Sequence, residues 1–303
     1  MSITLTPQEA VDAANQVFGR HPGRRALHAK GILCRGTFTG TPAGGRLTRA
    51  AHMRGEPVPA RIRVSNGSGN PDSPDYAPDV RGMAVKLELP DGTKTDIVAQ
   101  SLPWFAFDQP RGFIEFMIAQ RRGPSMAWRF PAYLIRHPHM IGALRVNLPA
   151  LAPPESYATL PYYGVHAFRL TAADGSSRFV RYEWVPVAGD RRLSGREAKA
   201  RGRDYLRQEL RERLTEGPAR FKLTLQIAEP GDPVDDPSKR WPAERERVEA
   251  GILEIVEIDE GGDENELVFD PANVADGIEM SDDPVLQFRP RAYSESASRR
   301  MQA

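Results

Sequence analysis

Two stretches of this chain each hold a pair of alternating apolar and polar runs facing each other across a turn signal. They are RGMAVKLELPDGTKTDIVAQS, with Pro90-Asp91-Gly92 between its halves, and YYGVHAFRLTAADGSSRFVRYEWVPV, with Asp174-Gly175. A period of two is that of a half-buried strand, and Asp-Gly readily takes the positive φ values of a tight turn, so each stretch reads as an antiparallel hairpin. ARIRVSNGSG alternates and then breaks at Asn-Gly, and PARFKLTLQIAEPGD and VEAGILEIVEID supply further strands. Their number and spacing point to an antiparallel sheet of many strands closed into a barrel.

Helices interrupt the pattern. LTPQEAVDAANQVFGRHPG has Thr6 as a cap, Pro7 in the first position, Glu9 three residues after the cap, and Gly19 and Pro22 as stops. RGFIEFMIAQRRG and SMAWRFPAYLIRHP form a helical middle, and SGREAKARGRDYLRQELRERLTEG is read as the longest helix. Its arginines are mixed with glutamates, as on a solvated helix face. Proline and glycine, 27 and 26 in number, are spread through the connections and mark no linker. The expectation is one α+β domain spanning 1–303, with a β-barrel core.

Forty-one Lys and Arg against 40 Asp and Glu leave a net charge of +1, so the whole-chain field recruits neither nucleic acid nor an anionic membrane. One cysteine, Cys34, excludes a disulfide framework within the chain. The opening MSITLTPQEAVDAANQ has neither a basic nor an apolar signal region, and no run reaches membrane-spanning length, so a cytoplasmic protein is expected. There is no P-loop, no dinucleotide glycine fingerprint and no His-Glu-x-x-His. His137-Pro138-His139 reads as a helix-terminus loop, and the glycine-rich SNGSGNPDSPDY lacks the Lys-Ser/Thr of a phosphate cradle.

Two places hold residues suited to chemistry. In RRALHAKG, His28 sits among apolar residues, either as a core histidine or as a reactive imidazole set in an apolar wall. In DDPVLQFRPRAYSESASRR, Arg289 and Tyr293 are four apart and share a face if that stretch is helical. An arginine beside a phenol favours phenolate, a hard ligand for ferric iron, and tyrosine is one of the axial ligands of haem. The same spacing also suits a plain exposed Arg–Tyr contact.

Together with IRVSNGSG, DVRGMAVKL, DIVAQSLPWFAF, DPSKRWP, VFDPANVADGIEM and the final SRR, these segments follow the order and spacing of the haem-dependent catalase family, which the chain resembles from about Arg24 to Arg300. The resemblance implies a catalase-type antiparallel barrel with surrounding helices and a haem b buried between barrel and helices. It implies that His28 is the distal histidine, moving a proton between peroxide oxygens, and that Ser65 fixes its tautomer. Tyr293 becomes the axial ligand of the haem iron and Arg289 its partner, with His166 and Asp283 as the polar chain behind. Arg25, Arg63 and Arg300 would hold the propionates, as planar guanidinium groups do, and Phe113 would keep the distal side apolar.

The sequence departs from that pattern where catalases carry the asparagine that positions peroxide: the aligned residues are Gln100 and Ser101. Neither presents the same amide at the same depth. The resemblance also includes neither the long N-terminal arm nor the C-terminal helical extension of larger catalases, which points to the small catalase-related peroxidases. The expected activity is reduction of hydrogen peroxide or an organic hydroperoxide by a small organic electron donor, with weak dismutation. A true dismutase, a hydroperoxide-rearranging enzyme or a haem carrier are the alternatives. Leu27 stands where the rearranging branch tends to place a hydroxyl. A monomer or homodimer is expected, with no nucleic acid and no membrane as partner.

Overall fold

The computed structural model describes residues 5–121, 123–264 and 267–302. Residues 1–4, at the head of the stretch read for an export signal, and Arg122, at the end of the first middle helical run, lie outside them. The strands are β1 Gly31–Gly40, β2 Val58–Asn66, β3 Arg81–Glu88, β4 Lys94–Gln100, β5 Tyr162–Thr171, β6 Ser177–Pro186, β7 Ala219–Ile227, β8 Arg247–Ile258 and β9 Ile278–Met280. The helices are α1 Pro7–Phe18, α2 Pro42–Leu47, α3 Pro110–Ala119, α4 Met126–Arg136, α5 His139–Asn147, α6 Gly195–Arg201, α7 Tyr205–Glu216 and α8 Pro284–Met301.

The sheet runs β4-β3-β2-β1-β8-β7-β6-β5-β9, antiparallel throughout, and the pairing Gln100↔Tyr163 joins β4 to β5. That pairing closes eight strands into a barrel and leaves β9 as a short outer strand beside β5. Both expected hairpins form. Leu89 N–H donates to Thr93 O at 2.8 Å around Gly92 at φ 83°, and Ala172 N–H donates to Ser176 O at 2.9 Å around Gly175 at φ 85°.

Beyond α2, α5 and β9, which the sequence reading did not include, two elements differ from the sequence expectation. β1 pairs with both β2 and β8, yet GILCRGTFTG carries no strand signal because glycines interrupt it. Gly36 sits at a bulge against β8, where a Cβ would fall 1.9 Å from the carbonyl oxygen of Glu254, so close backbone approach explains the break in pattern. The run read as the longest helix is two, α6 and α7, separated at Gly202, whose φ of 103° ends the first. The longest helix among the described residues is α8, of 18 residues. Asp283 caps it by accepting from Val285 N–H and Leu286 N–H at 2.8 and 3.2 Å.

Phe38, Ile62, Val85, Trp184, Phe221 and Leu223 fill the barrel and are fully buried. Each such side chain contributes about 1.5–3 kcal/mol through burial. Outside the barrel a second apolar cluster ties α1, α3 and α8 together: Ala13, Ala14, Ile114 and Met117 pack with Phe113, Phe288, Ala26 and Leu27. This cluster brings the segment before β1 and the C-terminal helix to one end of the barrel.

Candidate active site

The barrel register lines up Gly31↔Ser65, Ser65↔Gly82, Gly82↔Gln100 and Gln100↔Tyr163 across five strands. Two of these five residues lack side chains, and the space they leave is used. A Cβ on Gly82 would lie 2.8 Å from both Cε1 and Nδ1 of His28 and 3.0 Å from Ser65 Oγ. A Cβ on Gly31 would lie 2.4 Å from Nη2 of Arg63. The sheet is therefore open where the imidazole and the guanidinium rest.

His28 has φ 57° and is the only non-glycine residue at positive φ among the described residues. Such a conformation costs roughly 1–3 kcal/mol and persists only where the surroundings enforce it. Here its N–H donates to Gly67 O at 3.0 Å, its carbonyl accepts from Arg63 Nη2 at 2.8 Å, and its ring Nδ1 lies 3.0 Å from Ser65 Oγ. Burial, then the charges of Arg63, Arg289, Arg25 and Arg81, push the imidazole down to about 3, so it is neutral near pH 7. With Nδ1–H donating to Ser65, Nε2 keeps a lone pair, and it makes no hydrogen bond among the described residues.

Arg63 also donates from Nε to Glu264 Oε2 at 2.8 Å. Arg25 donates from Nη2 to the carbonyls of Glu264 and Leu267 at 2.6 and 2.7 Å, and Arg300 donates to the same Leu267 carbonyl at 3.2 Å. Burial and the nearby charges of Arg63 and Arg300 push Arg25 down to about 9. Its Nη1 is buried without a hydrogen-bond partner among the described residues. Three guanidinium groups thus converge at one place, with Glu264 and Asp263 as the nearby acidic groups.

On α8, Arg289 donates to the Tyr293 hydroxyl oxygen from Nε at 3.2 Å and also from Nη2. The helical face inferred from the spacing therefore forms, and the pair is half-buried. Behind it, His166 Nδ1 lies 2.5 Å from Asp283 Oδ2, both fully enclosed. Burial outweighs the carboxylate and pushes His166 down to about 4, so the neutral ring donates Nδ1–H to Asp283. No hydrogen bond joins either residue to Arg289 among the described residues. The coupling is through charge, since Arg289 disfavours protonation of both His166 and His28.

Phe113, on α3, meets Phe105 and Phe107 with ring centroids 5.8 and 5.6 Å apart, and Phe105 reaches His166 at 6.1 Å. Gln100 and Ser101 point elsewhere. The Gln100 amide donates to Leu102 O at 2.8 Å and accepts from Leu102 N–H at 3.1 Å, stapling its own loop. Ser101 Oγ accepts from Arg81 N–H at 2.9 Å and is fully buried. Sequence reasoning missed Gly31, Gly82 and Arg81 as parts of this site. Arg81 and Gly82 stand in the quoted DVRGMAVKL, but only strand register shows what their positions do. His137 and His139 face each other across Pro138 at 5.9 Å, and no cluster of metal-ligating side chains occurs among the described residues.

A family model for catalase matches residues 10–303. The chain belongs to the catalase family. Within it, the chain is 49% identical over 304 residues to the catalase-related peroxidase of Mycolicibacterium paratuberculosis, covering 99% of this chain and 96% of the relative. It is 32% identical to the catalase-related peroxidase of Synechococcus elongatus, covering 98% and 89%. A fungal catalase crystal structure superposes with a TM-score of 0.83 at 24% identity, over 93% of this chain and 60% of that one, which fixes the fold as a catalase barrel. No helix of the described residues is long and apolar enough to cross a membrane.

Catalase-family membership implies haem, and the residues present fit one. The unpartnered Nη1 of Arg25, set beside the guanidinium groups of Arg63 and Arg300, suits a ligand that brings carboxylates. The phenol held by Arg289 suits ferric iron.

Proposed function

We propose that this catalase-family oxidoreductase is a haem b peroxidase that reduces hydrogen peroxide or organic hydroperoxides with a small organic donor and dismutates peroxide weakly. Residues 1–303 act as a single catalase-like domain, as a monomer or homodimer. The observation that carries the reading is His28: a neutral imidazole, held at a strained φ from three sides, with Nε2 unspent.

Tyr293 would hold the iron, Arg25, Arg63 and Arg300 the propionates, and Phe113 an apolar wall. Haem supplies the redox chemistry of its iron, and the protein supplies binding and proton transfer. His28 Nε2 takes the proton from one peroxide oxygen and returns it to the other, which leaves as water or alcohol. Ser65 keeps the ring in the tautomer that accepts. In balance, two electrons and two protons from the donor convert ROOH to ROH and water. Arg289 holds the phenol oxygen with two donated hydrogen bonds, which favours phenolate.

Peroxidase is favoured over dismutase by the distal polar groups. Dismutation requires a second peroxide to be oriented for oxidation, and neither Gln100 nor Ser101 offers a free amide for it. The deciding experiment measures oxygen evolution and oxidation of an aromatic donor at matched haem content, with absorption spectra before and after peroxide. Donor oxidation should dominate. Oxygen evolution at the rate of a full-length catalase would overturn the peroxidase reading.

A further inference from the structure

From Phe116 to Pro154 the chain carries five arginines, two histidines and no Asp or Glu. The near-zero net charge, from which the sequence predicts no membrane partner, averages over this asymmetry. The segment comprises the end of α3 with all of α4 and α5.

α4 is apolar on two sides. Phe130, Tyr133 and Leu134 face inward and pack with Phe116 and Phe107, so the helix is already anchored. On the outer side, Trp128, Pro131 and Ile135 recur at i, i+3 and i+7, a single stripe. Trp128 is 67% exposed and Ile135 81%. α5 and the turn that follows it repeat the arrangement with Ile141, Arg145 and Leu148, the two apolar members being 50% and 66% exposed. These side chains are among the most exposed large apolar residues described, and they fall on consecutive helices.

The cations among them are unpaired. Arg121, Arg136 and Arg145 are exposed and have no carboxylate partner among the described residues. Many surface arginines elsewhere are paired, as in Arg49–Asp276, Arg211–Glu260 and Arg245–Asp232, whereas this segment contains no acidic residue to pair with. A second copy of the chain fits this face poorly. A two-fold contact would set the same arginines against themselves with no carboxylate between them.

We propose that the α4–α5 face docks on the surface of an anionic lipid bilayer. Trp128, Ile135, Ile141 and Leu148 enter the interface between headgroups and acyl chains, and Arg121, Arg136 and Arg145 meet headgroup phosphates. Exposed Trp and aliphatic residues with unpaired arginines are the composition of helices that lie in such an interface.

The test is sedimentation of the haem-loaded full chain with vesicles of phosphatidylcholine alone or mixed equally with phosphatidylglycerol. Binding is expected only with the anionic lipid and should weaken as salt screens exposed charges. Each arginine near the surface contributes on the order of fivefold, so R136E/R145E should weaken binding by more than about 25-fold. I135N/L148N should weaken it with the salt dependence retained. Soret absorbance and melting curves check that both variants fold, and weakened binding in either folded variant supports the docking face. Equal sedimentation with neutral vesicles, or binding unchanged in both variants, would overturn the proposal. So would a dimer that I135N/L148N dissociates in the absence of vesicle binding, or retention on duplex DNA but not on anionic lipid.

Discussion

Gly82 lies beneath the imidazole of His28 so closely that a methyl group on it would sit 2.8 Å from the ring nitrogen bonded to Ser65. The strand position is therefore part of the site. Gly82→Ala should leave the barrel intact, because the collision is with side-chain atoms, but displace the ring. A shift of about 1 Å in a reacting group can cost on the order of 10²-fold. The variant is expected to retain haem and melt near wild type while reacting with peroxide roughly that much more slowly. A wild-type rate in stopped flow would show that ring position does not control the reaction.

His28→Ala tests the proton transfer itself. Removing a general acid–base group typically costs about 10²–10⁴-fold, so the spectral change on adding peroxide should slow by that range with haem retained. Ser65→Ala should give a smaller loss, since it frees the tautomer and leaves the imidazole. If His28→Ala instead lowers the melting temperature and leaves the peroxide reaction unchanged, the residue serves only the fold.

The reach of the sequence can be judged at these same residues. The hairpins at Asp91-Gly92 and Asp174-Gly175 were legible because local turn chemistry and strand period agree. β1 was not legible, because Gly31, Gly36 and Gly40 answer to Arg63, to Glu254 and to Met53 across the fold, not to their neighbours in sequence. Arg289 and Tyr293 were visible as a pair from their spacing, whereas the helix that carries them contains Pro290 and little amphipathic pattern. His28 stood out from its apolar setting, its role and those of Ser65, Arg25 and Arg63 came through family resemblance, and the structure brings the four together. That Gln100 and Ser101 spend their polar atoms on backbone could not be read from residue type.

The helix that holds Tyr293 offers a prediction independent of the distal side. Tyr293→Phe removes the oxygen that accepts from Arg289 Nε at 3.2 Å and would bind iron. The variant should fold, since its ring packing is unchanged, and should lose most of its haem. Arg289→Gln is expected to retain more haem with a shifted absorption spectrum, because the phenol then loses its cationic partner. Tyr293→Phe that keeps haem with an unaltered spectrum would sink the ligand assignment.

His52 gives the pH dependence of stability a specific source. It is fully buried, its ring centroid is 5.8 Å from that of Phe38, and neither ring nitrogen has a hydrogen-bond partner among the described residues. Burial pushes it down to about 4, against about 6.5 for an unfolded histidine. Between those values the unfolded chain binds more protons than the folded one, so stability is complete above about pH 6.5 and is lost as pH falls toward 4. His28 and His166 add slopes of the same sign. His52→Leu should flatten the fall in melting temperature between about pH 7 and pH 5 without abolishing it, and should melt above wild type at the acid end. An unchanged slope would show that His52 titrates alike in the folded and unfolded states.

Ser101 is the position where a catalase-like distal amide could be restored. Its Oγ accepts from Arg81 N–H at 2.9 Å, an acceptor role that an asparagine carbonyl can take over while its amide N–H₂ extends further from the backbone. Gln100 is a weaker target, because its amide already makes two hydrogen bonds to Leu102. Ser101→Asn should raise oxygen evolution relative to aromatic-donor oxidation, and Gln100→Asn alone should change that ratio little. The pair of substitutions should behave like Ser101→Asn. Ser101 is fully enclosed, so the larger side chain is expected to lower the melting temperature, with overpacking typically costing about 1–3 kcal/mol. Both activities are measured at matched haem content, which separates a change in preference from a loss of folded enzyme. A ratio that stays fixed in Ser101→Asn, with haem and fold retained, would mean that the scarcity of dismutation does not arise from this distal residue.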